Sequence, residues 1–207
     1  MNESRIELDA GQILRDSWKT FYRDGGLWIA AAVVFFLILS ISEGIPFLPW
    51  VVFGPLLLGL YKMARTALIS GRADFMDLFW GFQRFLPAFL TNVVVSLFVV
   101  IGLCLLIIPG LVVGLLYLPV YLFIVDRNLD FWQAMESSRK MVLANFTQWL
   151  KLGLVLMALN LAGTLALVVG LLVTVPMSVI AVTLAYDLQQ RAAEPIPLHD
   201  IPDEPLA

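Results

Sequence analysis

Residues 26–64 read GLWIAAAVVFFLILSISEGIPFLPWVVFGPLLLGLYKMA, two apolar runs that are separated by a few turn residues around Ile45-Pro46. At roughly 1.5 Å per residue, a helical run of about 17–20 residues is just long enough to cross the ~30 Å hydrocarbon core of a bilayer. The second run carries Pro55 near its middle. This stretch therefore predicts a hairpin of two transmembrane helices, and the rest of the chain repeats its pattern.

The pattern occurs three times, each time with a short amphipathic segment before the hairpin. A small residue of that segment lies 38 positions before the proline of the second span. The marker pairs are Ser17 and Pro55, Gly81 and Pro119, and Ser138 and Pro176. The equal spacing predicts one unit used three times, over about 9–70, 74–129 and 130–187. We place the six spans at 26–42, 47–64, 88–108, 110–126, 149–166 and 168–187, with later turns at Pro109-Gly110 and near 165–167.

The composition agrees with a membrane domain. The 207 residues are 60% hydrophobic and only 14% charged, with a mean hydropathy of +0.90. Soluble domains are about 45–50% apolar and about 25% charged, so this chain has too little polar surface to coat a water-soluble particle. We predict an all-α, polytopic membrane domain over residues 1–187, with six transmembrane helices in three hairpins. About 25 mostly polar residues precede the first run, which indicates a retained span rather than a signal peptide.

Basic residues predict the orientation. All thirteen Lys and Arg residues lie before the first span, between hairpins, at the adjoining span ends or after the last span. Because cytoplasmic segments of membrane proteins are rich in Lys and Arg, both termini should be cytoplasmic. The outer face then consists of three short turns whose only charge is Glu43.

Three amphipathic segments should lie in the cytoplasmic interface, since their apolar residues recur at steps of three and four. Each has an Asp as its predicted N-cap: Asp9 with Gln12, Asp74 with Asp77, and Asp130 with Gln133. The predicted apolar faces are Leu14, Trp18 and Phe21; then Phe75, Phe79, Phe82 and Leu86; then Met135, Val142, Phe146 and Trp149. These helices either contact anionic headgroups and partners or merely connect and anchor the hairpins. The cations predicted to face the cytoplasmic interface are Arg15, Lys19, Arg23, Arg84, Arg139, Lys140 and Lys151.

Residues 188–207 differ from the rest of the chain. Four prolines alternate there with four acidic residues, a composition typical of disordered segments. We predict a cytoplasmic tail that is solvated or docks a partner protein.

We find no catalytic set. The only histidine, His199, lies in the tail, and the only cysteine, Cys104, lies in an apolar run. A His-based triad or metal site inside the membrane is therefore not expected. We expect no cofactor and no nucleic-acid partner.

Polar residues inside the predicted spans are the next candidates, because such residues are costly in a membrane and often functional. Asn92 and Ser96, and likewise Asn160 and Thr164, are four residues apart and share a helix face. They line a polar path or form hydrogen bonds between packed helices. Both alternatives remain open from the sequence.

The even-numbered spans carry further signals. Pro55, Pro119 and Pro176 each remove a backbone hydrogen bond and should kink their helices, as hinges or as static features. Asp126, Arg127 and Asp187 end such spans, either as an inward charged cluster or as ordinary helix ends.

The stretch IIPGLVVGLLYLPVYLFIVDRNLDFWQAMESSRKMVLANF, residues 107–146, carries a family resemblance. Its elements are the Pro109-Gly110 turn, a proline-bearing span ending in Val125-Asp126, and the run 137–140 before Asn145. It resembles YciC-like bacterial inner-membrane proteins and the membrane domain fused to some glycerophosphodiester phosphodiesterases. The resemblance implies a bacterial cytoplasmic membrane protein and no particular reaction. The layout is also similar to that of mitochondrial carriers, but their Pro-x-Asp/Glu-x-x-Lys/Arg motif is missing here.

Three functions follow as hypotheses. The first is a non-enzymatic scaffold or accessory subunit that acts on lipids or partner proteins at the membrane. The alternative is a transporter or channel for a lipid-like or small solute, with its path along a pseudo-threefold axis. An intramembrane enzyme is disfavoured, because no nucleophile–base or carboxylate pair is evident.

Overall fold

The structure is a computed structural model that describes residues 9–166 and 169–193. Every secondary-structure element in these ranges is helical. The elements are α1 (Ala10–Arg23), α2 (Gly25–Ser42), α3 (Leu48–Ser70), α4 (Asp77–Trp80), a 3₁₀ turn (Gly81–Arg84), α5 (Phe85–Leu105), α6 (Ile107–Leu116), α7 (Val120–Arg127), α8 (Phe131–Ala144), α9 (Phe146–Leu165) and α10 (Leu171–Ala193).

Six helical segments in the described part of the chain are long and apolar enough to cross a membrane. They are Gly25–Ser42, Leu48–Ser70, Asp77–Leu105, Ile107–Arg127, Phe146–Leu165 and Leu171–Ala193. The predicted fold class, all-helical with six spans, is confirmed. We call α2, α5 and α9 the odd spans, and α3, α6 with α7, and α10 the even spans.

The even spans form the centre of the molecule. Helix α3 contacts both α7 and α10. Of the apolar windows, 56% is buried in α3, 44% in α6–α7 and 56% in α10, against 22–28% in the odd spans. The odd spans expose large apolar side chains such as Leu37, Phe98 and Leu161. Because lipid tails are as apolar as these side chains, exposure of this kind costs little in a bilayer.

The three amphipathic elements connect the units in a ring. The segment α4 with its 3₁₀ turn packs on α3, α8 packs on α7 and α6, and α1 packs on α10. Each element therefore lies on the even span of the preceding predicted unit, and α1 closes the ring on the last one. The predicted repeat did not require each amphipathic element to pack on a unit other than its own.

The buried face of α1 is shifted by one position from the predicted apolar face. Asp9 caps the helix as predicted, with its carboxylate accepting a hydrogen bond from Gly11 N at 2.9 Å. Ile13, Ser17 and Phe21 are buried, whereas Trp18 is 49% exposed. The small Ser17, whose hydroxyl donates to its own helix, lets α1 approach α10 closely. A partly exposed Trp suits a membrane interface, where its ring has an apolar and a wet side.

The predicted apolar face of the second segment is not the face that packs on α3. Phe79, Phe82 and Leu86 are all exposed, and the residues buried against α3 are Leu78 and Gly81. The reason is a close backbone crossing. A Cβ on Gly59 would collide with the carbonyl of Leu78, and one on Gly81 with the carbonyl of Pro55. The helix also begins later than predicted, at Asp77, while Asp74 accepts a hydrogen bond from Met76 N.

The third segment is right in part. Met135 and Val142 are buried on α8 as predicted, but α8 ends at Ala144. Phe146 and the fully buried Trp149 therefore belong to α9. Asp130 precedes α8 without making the predicted side-chain capping bond.

The turns fall mostly where predicted. The first occupies residues 43–47, with Phe47 in the left-handed region (φ 66°). The second is a correction: the break is the extended Leu106, and Pro109 and Gly110 lie in the first turn of α6. A Cβ on Gly102 would lie 2.8 Å from the Cα of Gly110, so the two glycines permit this tight reversal. The third turn follows Leu165, and residues 167–168 of that turn lie outside the described residues.

The last helix is longer than predicted. It continues to Ala193, and Gln189 within the predicted tail is 94% buried, with 6% exposed. The tail therefore does not begin at 188. Residues 194–207, with the rest of the predicted tail, lie outside the described residues.

Candidate functional site: an ion cluster and lateral cavities

An ion cluster joins the three even spans at their basic ends. Arg65 of α3 places Nε 2.9 Å from the Asp126 carboxylate of α7 and Nη1 2.7 Å from Asp187 of α10. The three side chains are 15–19% exposed. Arg191 adds a 2.9 Å contact to Asp187. The planar guanidinium has donors on two edges, so one Arg can hold two carboxylates from different helices.

The cluster decides between the two interpretations of these span ends. Asp126 of α7 and Asp187 of α10 both point inward and converge on Arg65, so they form a charged cluster rather than two independent helix ends. Arg127 instead donates to Gln190 Oε1 at 2.7 Å, outside the cluster. Sequence reasoning missed Arg65, which was counted only as one of the basic residues that set orientation. The signal was its place near the basic end of the second hydrophobic run, ten positions after Pro55.

The fourth span is broken at Pro119 rather than kinked. Helix α6 ends at Leu116, and Pro119 is the N-cap of α7. Carbonyls freed in such a break must be satisfied by other groups inside a membrane. The Ser138 hydroxyl donates to Leu116 O at 2.7 Å, and the Tyr61 hydroxyl donates to Leu118 O at 3.0 Å. The break is thus held from α8 and α3 at once.

Pro55 and Pro176 lie inside continuous helices, α3 and α10, and both are buried. The carbonyl of Pro55 faces the Gly81 backbone, so this position serves a close helix crossing. The three prolines therefore have different local geometries, although they lie at equal spacing from their markers.

Tyr61 stands between two cavities. Its ring stacks on Tyr121 with centroids 5.8 Å apart. A cavity of about 290 Å³ lies on the α9–α10 side, and one of about 390 Å³ lies between α3, α5 and the fourth span. Tyr61 and Leu118 line both cavities, so the Tyr61 hydrogen bond to Leu118 forms part of the wall between them.

The four polar span residues do not converge on one path. Asn92 is buried and donates to Trp50 O of α3 at 3.0 Å, and with Ser96 it lines the cavity between α3 and α5. Asn160 donates to Ser178 Oγ of α10 at 2.7 Å and lines the other cavity. Thr164 is exposed and donates to its own helix at Asn160 O. Two of the four residues thus connect neighbouring helices, as the packing alternative predicts.

Two of the predicted interface cations connect helices instead. Arg23 donates to Ala67 O of α3 at 3.0 Å, and Arg84 donates to Asn128 O after α7 at 3.2 Å. Their contribution is structural, since each reaches a carbonyl at the end of another span.

The other predicted interface cations remain at the surface of α1, α8 and α9. Arg15, Lys19, Lys140 and Lys151 are exposed. Lys19 contacts Asp16 at 3.0 Å, an exposed pair of small energetic value. Arg15 and Lys19 share the outer side of α1 with the exposed Trp18 and Tyr22.

Glu136 on α8 is held by two cations. Arg139 contacts it at 2.9 Å and Lys140 at 3.3 Å. The hydrogen bond from Arg139 lowers the pKa of Glu136 to about 2, and the same pair raises the pKa of Arg139. The carboxylate is therefore ionised throughout the physiological range.

The described residues contain no group of three or more His, Cys, Asp or Glu side chains placed to hold a metal ion. Cys104 is exposed near the end of α5. Among the polar groups described above, Tyr61, Asn92, Ser138 and Asn160 make hydrogen bonds between helices.

Fold and site together define a multi-pass helical membrane protein with three central spans joined by an ion cluster. No protein-family model, no curated protein and no solved structure matches the chain.

Proposed function

We propose that the chain is a non-enzymatic scaffold or accessory subunit that acts on lipids or partner proteins at a bacterial cytoplasmic membrane, with both termini cytoplasmic. The resemblance of residues 107–146 to YciC-like proteins supports the location, and the basic residues support the orientation. The resemblance itself remains part of this proposal.

The observation that carries the proposal is the surface of α1. The helix packs on α10 with Ile13 buried, while its outer side exposes Arg15 and Lys19 beside Trp18 and Tyr22. A helix with cations and exposed aromatic rings on one side suits the headgroup region of an anionic membrane. Helix α8 likewise exposes Lys140 and Trp132.

The test compares the Arg15→Gln/Lys19→Gln double variant with the native chain for binding of short-chain phosphatidylglycerol. Each cation near an anionic surface contributes about 1 kcal/mol, so the double variant should bind roughly 10- to 30-fold more weakly. The control is Arg72→Gln, which removes an exposed cation outside α1. Equal affinities of the double variant and the control would reject the role of α1.

A second candidate function, translocation of a lipid-like solute, would depend on opening of the ion cluster. Arg65 holds the ends of all three central spans together, so a path along their axis would require its bonds to open. In proteoliposomes with a fluorescent phospholipid and an external quencher, Arg65→Ala should then accelerate lipid translocation over the native chain. Rates equal to those of protein-free vesicles for both proteins would exclude this function.

A further inference from the structure

Two cavities on the same side of α3 form one groove. The cavity of about 390 Å³ described above adjoins another of about 320 Å³ that is also lined by Leu39 and Glu43. The two share four lining residues: Trp50, Phe53, Asn92 and Ser96. We call this continuous depression the α3–α5 groove. It extends from the turn after α2 to the break at Pro119.

The groove is apolar along its length and open at its rim. Trp50 is 53% exposed and Val100 is 48% exposed, so the groove opens on the outer surface of the helix bundle. Its cavities have the size of small-molecule sites, which are about 300–1,000 Å³ and lined mainly by apolar groups. Asn92 and Ser96 are the polar exceptions, placed where the two cavities meet. This lining suits an acyl chain that has a polar group at the point where the two cavities meet.

The mouth of the groove carries a negative charge. Glu43 is exposed there and is the single charged residue among those that join paired spans, 43–47, 106 and 166–170. It is also the C-cap of α2, whose last carbonyls carry a partial negative charge. Both features favour a cationic group at this point and disfavour an anionic one.

We propose that the α3–α5 groove binds one phospholipid with a primary-ammonium headgroup, its acyl chain along the groove and its ammonium at Glu43. The inference rests on the proposed function in one respect, that lipids are what the protein acts on. It concerns the end of the bundle opposite to α1 and does not depend on the cations there.

The first experiment fills the groove. A Cβ on Gly114 would meet its nearest neighbour, Val99, at 3.9 Å, so a side chain can begin there without a clash at Cβ. The Gly114→Leu variant should bind phosphatidylethanolamine about tenfold more weakly or worse in a lipid titration monitored by native mass spectrometry, because the leucine side chain would occupy space that the acyl chain needs. Ala158→Leu, which adds bulk at an exposed position of α9, should bind like the native chain.

If Gly114→Leu unfolds at a lower temperature than Ala158→Leu, Ser96→Leu fills the same groove from α5 and replaces it in the comparison. Binding by the filled variant equal to that of Ala158→Leu overturns the assignment of the groove.

The second experiment tests the headgroup. An exposed ion pair contributes ~0.2–1 kcal/mol, so the native chain should prefer phosphatidylethanolamine over phosphatidylglycerol of the same acyl chains by about 1.4- to 5-fold. Glu43→Gln should abolish that preference and keep chain binding. An unchanged preference would overturn the role of Glu43. Groove binding that persists while the α1 double variant behaves like its control would reject the role of α1 and leave this inference standing.

Discussion

Replacement of Arg65 by Ala should destabilise the bundle more than replacement of any exposed cation. The change leaves the carboxylates of Asp126 and Asp187 facing each other at 15–17% exposure without the guanidinium that holds both. Removing one partner of a fully buried ion pair costs 3–5 kcal/mol. With the remaining exposure of these groups, we expect a loss of about 3 kcal/mol, or roughly 6–12 °C in the unfolding midpoint for a domain of this size.

The measurement is thermal unfolding of purified protein in detergent, with Arg72→Ala as the matched control for loss of an exposed Arg. A triple variant, Arg65→Met with Asp126→Asn and Asp187→Asn, removes every charge of the trio and should recover most of the loss, since neutral replacements of a buried ion pair are often tolerated. An Arg65→Ala midpoint equal to that of the control would refute the reasoning. So would a triple variant as unstable as Arg65→Ala.

Three further predictions use the same assay. Gly59→Ala should lower the free energy of unfolding by about 1–3 kcal/mol, because the added Cβ collides with a neighbouring carbonyl. Gly26→Ala should not lower it, because a Cβ there has no neighbouring atom within 4 Å, and equal effects of the two variants would contradict the close crossing. Trp149→Phe should lower the free energy of unfolding by about 0.5–1.5 kcal/mol more than Trp28→Phe does. Both rings are fully buried, but of the two only the Trp149 indole N–H has a hydrogen-bond partner among the described residues, at 2.7 Å. Since the pKa of Glu136 is lowered from 4.5 to about 2, the stability that its ionised form adds is fully present above pH ~4.5 and is lost as the pH falls towards 2. The difference in unfolding midpoint between the native chain and Glu136→Gln should therefore be constant from pH 8 to 5 and shrink below pH 5. A difference that changes near pH 7 would contradict this assignment to Glu136.

The six spans were predictable because membrane insertion depends on local properties. A run of apolar residues long enough to cross the bilayer is visible without knowing its neighbours. Predicted and observed starts of the second span differ by one residue, 47 against Leu48. The error at the other end of the chain has a clear origin. Polar residues after 187 suggested a tail, but the Gln189 side chain is buried, where it accepts a hydrogen bond from the Trp149 indole N–H and donates one to Met141 O.

Helix faces were less predictable. Hydrophobic periodicity placed Trp18 and Phe79 on apolar helix faces, and both are exposed rather than packed against other helices. In a membrane the exposed side of a helix can be as apolar as its packed side, so periodicity loses its meaning as a guide to the core. Small residues such as Ser17 and Gly81 mark the packed faces here, because they let backbones approach.

By itself the sequence determined that this protein is a helical membrane protein with six spans, since apolar length and composition are properties of each segment alone. Only the tertiary structure decided which spans are central and that Arg65, Asp126 and Asp187 meet. It alone also showed that the fourth span is broken at Pro119 and held by Ser138 and Tyr61. These features depend on which helices lie side by side, and neighbours separated by 61 or 122 residues in the chain leave no local pattern.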